Sequence, residues 1–169
     1  MIVSNGQKNG PSPQGVKLRG SGLFCGLNKT RAKRGAIMAY KILVVDDDLE
    51  IVGNMIQSLL FEGYKVESAF DGEEAMRKMQ ECNPDIIILD IMMPRLDGIE
   101  TLKQIREKFN DKWRPVIIIS GKSELETINQ CNALEADHYL VKPFKIEDLL
   151  SALKVITTSV LPAYQKKKS

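Results

Sequence analysis

Five polar residues far apart in the chain each follow or end a short apolar run. Asp46 and Asp47 come after Lys41–Val45, Asp90 after Ile86–Leu89, Ser120 after Val116–Ile119, and Lys142 after Tyr139–Val141. Apolar runs without alternation read as strands covered on both faces. The carboxyl ends of such strands are where open α/β sheets gather ligands and chemistry. Three carboxylates clustered without a cation repel one another and hold their protons more tightly. A divalent ion relieves that repulsion, and an all-oxygen donor set suits Mg²⁺, with Mn²⁺ as a substitute. Asp90 is the strongest nucleophile candidate, because a carboxylate attacks phosphorus to form an acyl phosphate. The cation and the Lys142 ammonium can shield the incoming anion, and Ser120 can donate a hydrogen bond to a phosphoryl oxygen. The plainer reading of acidic strand ends is helix capping, which is what Asp48 is expected to do.

Positioning these groups takes an alternating series of elements. Apolar residues at Ile51, Val52, Met55, Ile56, Leu59 and Leu60 define one face of a helix over Leu49–Phe61, stopped at Gly63. Lys65–Ala69 is a second strand. Asp71 and Glu74 have capping-box spacing ahead of a helix over about 72–80. Ile86–Asp90 is the central strand. Ile99, Leu102, Ile105 and Phe109 line a third helix, and Pro115 opens the strand Val116–Ile119. A weakly patterned helix near Ser123–Leu134, the strand Tyr139–Val141 and a helix over Ile146–Val160 complete the series. Five strands alternating with five helices, joined by short right-handed connections, make a doubly wound parallel α/β sheet. There is no internal repeat.

Composition narrows the function classes. No apolar run is long enough to span a membrane. Cys25, Cys82 and Cys131 are odd in number and lack a CxxC, against a disulfide framework or structural zinc and in keeping with a reducing, cytoplasmic setting. His138, the only histidine, excludes a multi-histidine metal site and is expected at a surface or edge. Residues 1–37 carry seven Lys or Arg and no acid, and Lys166, Lys167 and Lys168 close the chain. Setting those ten cations aside leaves 14 against 22 acids, a balance of −8 for residues 38–165. Residues 1–39 read as a flexible basic extension, 40–160 as the folded domain and 161–169 as a short basic tail. Vector-encoded residues ahead of a natural start at Met38 would account for the first segment's composition.

Four motifs in order carry a resemblance: Val44-Val45-Asp46-Asp47-Asp48; Leu89-Asp90-Ile91-Met92-Met93-Pro94 with Asp97-Gly98; Ser120; and Tyr139-Leu140-Val141-Lys142-Pro143-Phe144. Over about residues 40–160 the chain resembles the receiver domain of a two-component response regulator. The resemblance implies a flavodoxin-like sheet of order 2-1-3-4-5. It also implies phosphoryl transfer onto Asp90 from a histidine kinase or a histidine phosphotransfer protein. Asp47, Asp90 and the Met92 backbone carbonyl would hold Mg²⁺, with Asp46 acting largely through a coordinated water. Ser120 and Tyr139 would be the switch pair, and Lys142 would precede a cis proline, Pro143. The receiver would catalyse its own phosphorylation and dephosphorylation without independent small-molecule turnover. A downstream protein would read the surface of the fourth helix, fifth strand and fifth helix, on a monomer or a phosphorylation-dependent dimer. Glu135 departs from the resemblance, standing where a glycine is frequent.

Three other readings stand beside it. An aspartate-nucleophile phosphatase would place a further acid where Met92 stands, and would turn over phosphate esters far beyond one equivalent. An interaction module without chemistry would take no phosphoryl group from acetyl phosphate. A nucleotide-binding Rossmann domain needs a glycine-rich first turn, where this chain has three acids. Residues 161–169 are too few for a DNA-binding domain. The chain then reads either as a stand-alone receiver or as part of a longer DNA-binding regulator or hybrid kinase.

Overall fold

The computed structural model describes residues 40–109, 111, 113–121 and 125–163. The expectations placed on 1–39, on Lys122 and Ser123 and on 164–169 lie outside them. The elements are β1 (Lys41–Val45), α1 (Leu49–Phe61), β2 (Lys65–Ala69), α2 (Gly72–Cys82), β3 (Ile86–Asp90), α3 (Gly98–Lys108), β4 (Val116–Ser120), α4 (Leu125–Ala133), β5 (His138–Val141) and α5 (Ile146–Val155). All strand pairs are parallel, in the order β2-β1-β3-β4-β5.

The unbroken apolar runs follow from a sheet buried on both faces. Ile42 and Val44 of β1, Ile86 and Ile88 of β3, and Ile117 and Ile119 of β4 pack with Val52, Met55 and Leu59 of α1 and Leu149 and Leu153 of α5. The alternate residues Leu43, Val45, Ile87, Leu89, Val116 and Ile118 pack against Ala75 and Met79 of α2, Leu102 and Ile105 of α3, and Cys131 of α4. Every residue of β3 and β4 is buried. Each such Ile or Leu contributes roughly 1.5–3 kcal/mol on leaving water, so these two strands anchor the sheet.

Three helices start on aspartate caps at the carboxyl rim of the sheet. Asp48 Oδ1 accepts from the Glu50 and Ile51 N–H groups at 2.9 and 3.1 Å. Asp71 Oδ1 accepts from Glu74 N at 2.8 Å, and Asp97 Oδ1 from Glu100 N at 2.8 Å. The capping box at Asp71 is offset by one residue, since Glu74 returns its bond to the N–H of Phe70. Gly63, at φ 93°, supplies the left-handed turn after α1.

The last helix corrects the expectation of a regular helix to Val160. After Val155 it opens into a π turn over Ile156–Val160, and Leu161 N–H reaches back five residues to the Ile156 carbonyl. The wider turn carries the buried face from Ile156 to Leu161 and leaves Val160 half-exposed. Leu161, placed in the tail by its sequence position, belongs to the core on the α1–α5 side.

The opposite, amino-terminal rim is fastened by two arginines. Arg106, buried at the end of α3, donates to the main-chain carbonyls of Asp111, Arg114, Leu134 and Glu135 at 2.7–3.0 Å. Arg114 pairs with Asp111 and donates to Asn83 Oδ1 and to the carbonyl of Pro84. Glu135 adopts φ 57°, the conformation for which glycine is the easy residue, and its carbonyl is one of those Arg106 holds.

Candidate functional site

Two strand ends bring the acids together, and a third brings a lysine. Asp46 follows β1, which β3 pairs with Val45 opposite Leu89, so Asp46 and Asp90 leave neighbouring strands at the same level. Carboxylate oxygens of Asp46, Asp47 and Asp90 lie within 4.8 Å of one another, with Asp46 and Asp90 buried and Asp47 exposed. Lys142, just past β5, reaches the cluster from the far side of β4. Its Nζ is 2.7 Å from Asp46 Oδ2 and 3.2 Å from Asp90 Oδ2.

The two buried acids are satisfied very differently. Asp46 uses both oxygens, Oδ1 accepting from the Asp48 N–H at 2.9 Å and Oδ2 from Lys142. Asp90 Oδ1 is buried and has no hydrogen-bond partner among the described residues. Burial pushes the Asp90 carboxyl above its ordinary range, and the neighbouring Asp46 charge adds to this. The Lys142 ammonium opposes both without overcoming them. Burial pulls the Lys142 ammonium down, but hydrogen bonding and charge from Asp46 and Asp90 outweigh it, so its affinity for a proton is raised.

That donor set fits Mg²⁺. A hard dication wants oxygen ligands and tolerates water among them, and the Asp90 carboxylate, with one orphaned oxygen, stands within reach of two more carboxylates. Because Asp46 is committed to Lys142 and to Asp48 N–H, its direct ligation would break existing bonds, whereas contact through water would keep them.

The loop after β3 is tightly folded. Ile91 O accepts from both Met93 N at 3.1 Å and Gly98 N at 3.0 Å. A Cβ on Gly98 would sit 2.1 Å from the Asp90 carbonyl oxygen, so only glycine permits α3 to begin there. The sequence marked Asp97-Gly98 as turn punctuation without this reason. Met92 is exposed and lies beside Gly121.

Ser120 is fully buried at the end of β4. Ile118, two residues before it, stands directly opposite Tyr139 on β5, and Tyr139 packs half-buried against the α2–α4 side of the core. Ser120 and Tyr139, the expected switch pair, thus share one face of the sheet while Asp46 and Asp90 continue the other, in step with Val44 and Ile88. Lys142–Pro143 is cis, and His138 is exposed on the edge strand β5. Asp71, read from sequence as a cap alone, also pairs with Arg95, a residue that carried no signal.

A doubly wound sheet with an acidic, lysine-bearing carboxyl rim defines a class of α/β domains that handle phosphoryl groups beside a divalent cation. Residues 42–154 match the response regulator receiver domain, and the chain belongs to that family. It is 39% identical over 126 residues to the response regulator MprA of Mycobacterium bovis, an alignment covering 74% of this chain and 54% of that protein. The chain therefore spans about half the length of the curated relatives it matches. Among solved structures it is similar to the chemotaxis protein CheY4 of Vibrio cholerae. That match has 36% identity and a TM-score of 0.65, and covers 68% of this chain and 96% of the other. It is also similar to a chain of the CheX–CheY–BeF₃–Mg²⁺ complex from Borrelia burgdorferi, with 33% identity and a TM-score of 0.66, covering 71% and 90%. Residues 42–154 are thus a receiver domain of the two-component kind, with an acidic cluster typical of Mg²⁺-binding receivers. Among the described residues no helix is long and apolar enough to cross a membrane.

Proposed function

We propose that Asp90 is the phosphoacceptor. The observation that carries this is its buried carboxylate, with Oδ1 unpartnered among the described residues, Oδ2 beside an ammonium and two further carboxylates close by. The oxygen attacks the phosphorus of a phosphohistidine on a kinase or phosphotransfer protein, an O–P bond forms, and the P–N bond breaks to release the imidazole. Asp47, Asp90 and the Met92 carbonyl would hold Mg²⁺, with Asp46 acting largely through a coordinated water, and the ion would supply charge neutralisation for the phosphoryl group. Lys142 neutralises the opposite side, already held 3.2 Å from Asp90. Ser120 donates to a phosphoryl oxygen. Positioning and electrostatics account for most of the catalysis, which the receiver itself performs.

The readout follows from the same rim. Drawing Ser120 toward the phosphoryl group opens space near Tyr139, which sits diagonally across on β5. The affected surface is formed by α4, β5 and α5, where Leu125 and Val141 are exposed. A downstream protein reads that surface, on a monomer or a phosphorylation-dependent dimer, in the cytoplasm.

The test is labelling with a small phosphodonor or a phosphorylated kinase in the presence of Mg²⁺. The wild type should take about one hydroxylamine-labile equivalent, and Asp90→Asn should take none. Stoichiometric labelling of Asp90→Asn at another residue overturns the assignment.

A further inference from the structure

We infer that Asp71 and Arg95 form a latch that positions the metal-ligating loop after β3, an inference that rests on the phosphoacceptor reading of that loop. The loop from Ile91 to Gly98 is closed at its base, where Ile91 O takes the N–H groups of Met93 and Gly98. Gly98 is pressed against the Asp90 carbonyl. The Met93 N–H held by Ile91 O shares one planar peptide with the Met92 carbonyl, so the base sets that carbonyl's direction as firmly as the exposed outward run of the loop is held in place.

The far end is fastened to a different element. Arg95 adopts φ 68°, a conformation unfavourable for a residue with a Cβ, so its surroundings must hold it there. Its guanidinium pairs with Asp71 Oδ2 at the start of α2. The next residue, Leu96, packs so closely on Gly72 that a Cβ there would lie 2.7 Å from Leu96 Cδ2 and 2.2 Å from Thr101 Oγ1. Asp71 is nearly buried and divides its two oxygens between the Glu74 N–H and Arg95. Losing Arg95 would leave one of those oxygens without its cationic partner.

The latch therefore ties the start of α2 to a loop that begins one residue after Asp90. Between its base at Ile91 and the latch at Arg95 lie only Met92, Met93 and Pro94, and Pro94 is stiff. Such a short span leaves the Met92 peptide little freedom. Asp71 and Arg95 are positioning residues: they act on the cation through the backbone and do not touch it.

Two variants separate this role from simple stability. Arg95→Met removes the guanidinium and keeps an unbranched stem. Asp71→Asn keeps an equally good helix cap and removes the charge. Each should weaken Mg²⁺ binding, followed by titration calorimetry, by about tenfold, as outer-shell changes commonly do. Without Mg²⁺, each should speed amide hydrogen exchange at Met93 and Gly98 by about tenfold, with amides in β1 and β4 unchanged. The double variant should lose no more than either single one, since both remove the same contact. Wild-type Mg²⁺ affinity and wild-type exchange at Met93 and Gly98 in both single variants would overturn the latch. Failure of the phosphoacceptor reading looks different: the wild type itself would show no Mg²⁺ binding, while the exchange measurement would still report on the latch.

Discussion

The two rims of the sheet handle buried charge in opposite ways. At the amino-terminal rim, Arg106 is buried and its guanidinium is spread over four main-chain carbonyls from the loops around β4 and β5. At the carboxyl rim, Asp46 and Asp90 are as deeply buried, yet they share one ammonium, and one Asp90 oxygen has no partner. Both rims rest on the same strands and the same core. A buried charge whose hydrogen bonds are complete holds loops in place; one left incomplete carries a free-energy cost and favours whatever completes it. Geometry, more than residue type, separates structural from reactive charge here.

The contrast can be broken from the amino-terminal side first. Arg106→Ala strips donors from four carbonyls at once and should cost about 4 kcal/mol in urea unfolding. Phosphoryl acceptance in the fraction still folded should be unchanged. A loss under 1 kcal/mol would mean that water or neighbouring groups replace the guanidinium.

At the carboxyl rim, Lys142→Met should cost less, about 2 kcal/mol without Mg²⁺, because Asp90 can relieve the repulsion by taking a proton. Millimolar Mg²⁺ should recover most of that loss in thermal melts, as it offers the carboxylates another cation. A deficit insensitive to Mg²⁺ would show that Lys142 contributes packing and not charge.

Asp90→Asn should give the smallest effect, and one of opposite sign: a gain of about 1 kcal/mol in metal-free buffer at neutral pH. The pH dependence sharpens it. Asp90 binds its proton more tightly folded than unfolded, so stability falls as pH rises through that window and the penalty is complete above the folded pKa. Lowering the pH toward 3.8 should therefore stabilise the wild type relative to Asp90→Asn and close the gap between them. A gap that widens on acidification would reverse the sign assigned to Asp90.

Much of this arrangement was legible from residue order. The bounds of α1 and β2 followed from apolar spacing and from Asp48 and Gly63, whose effects are local. The gathering of Asp46, Asp47, Asp90 and Lys142 at one rim followed from strand ends, because a parallel sheet points all its carboxyl ends the same way. What escaped depends on contacts between distant segments or on small backbone changes. Arg95 had no pattern to betray its pairing with Asp71, 24 residues earlier. Arg106 sits on a helix otherwise read through its apolar face, and its partners are carbonyls, which every residue possesses. The π turn was hidden because Ile156 and Val160 fit ordinary helical spacing, and only the backbone shows that Leu161 takes the buried place.

That turn has a consequence for how the end of α5 is phased. A π turn amounts to one residue more than an α turn needs. Deleting one residue inside the turn would let the helix close in regular form with the outgoing chain still in phase, whereas closing it with every residue kept would swing the chain after the turn by about 100° around the helix axis. In that second case Leu161 would turn away from the sheet and Val160 would take its buried place. The extra residue is thus a phase setting, one residue wide, for the outgoing chain.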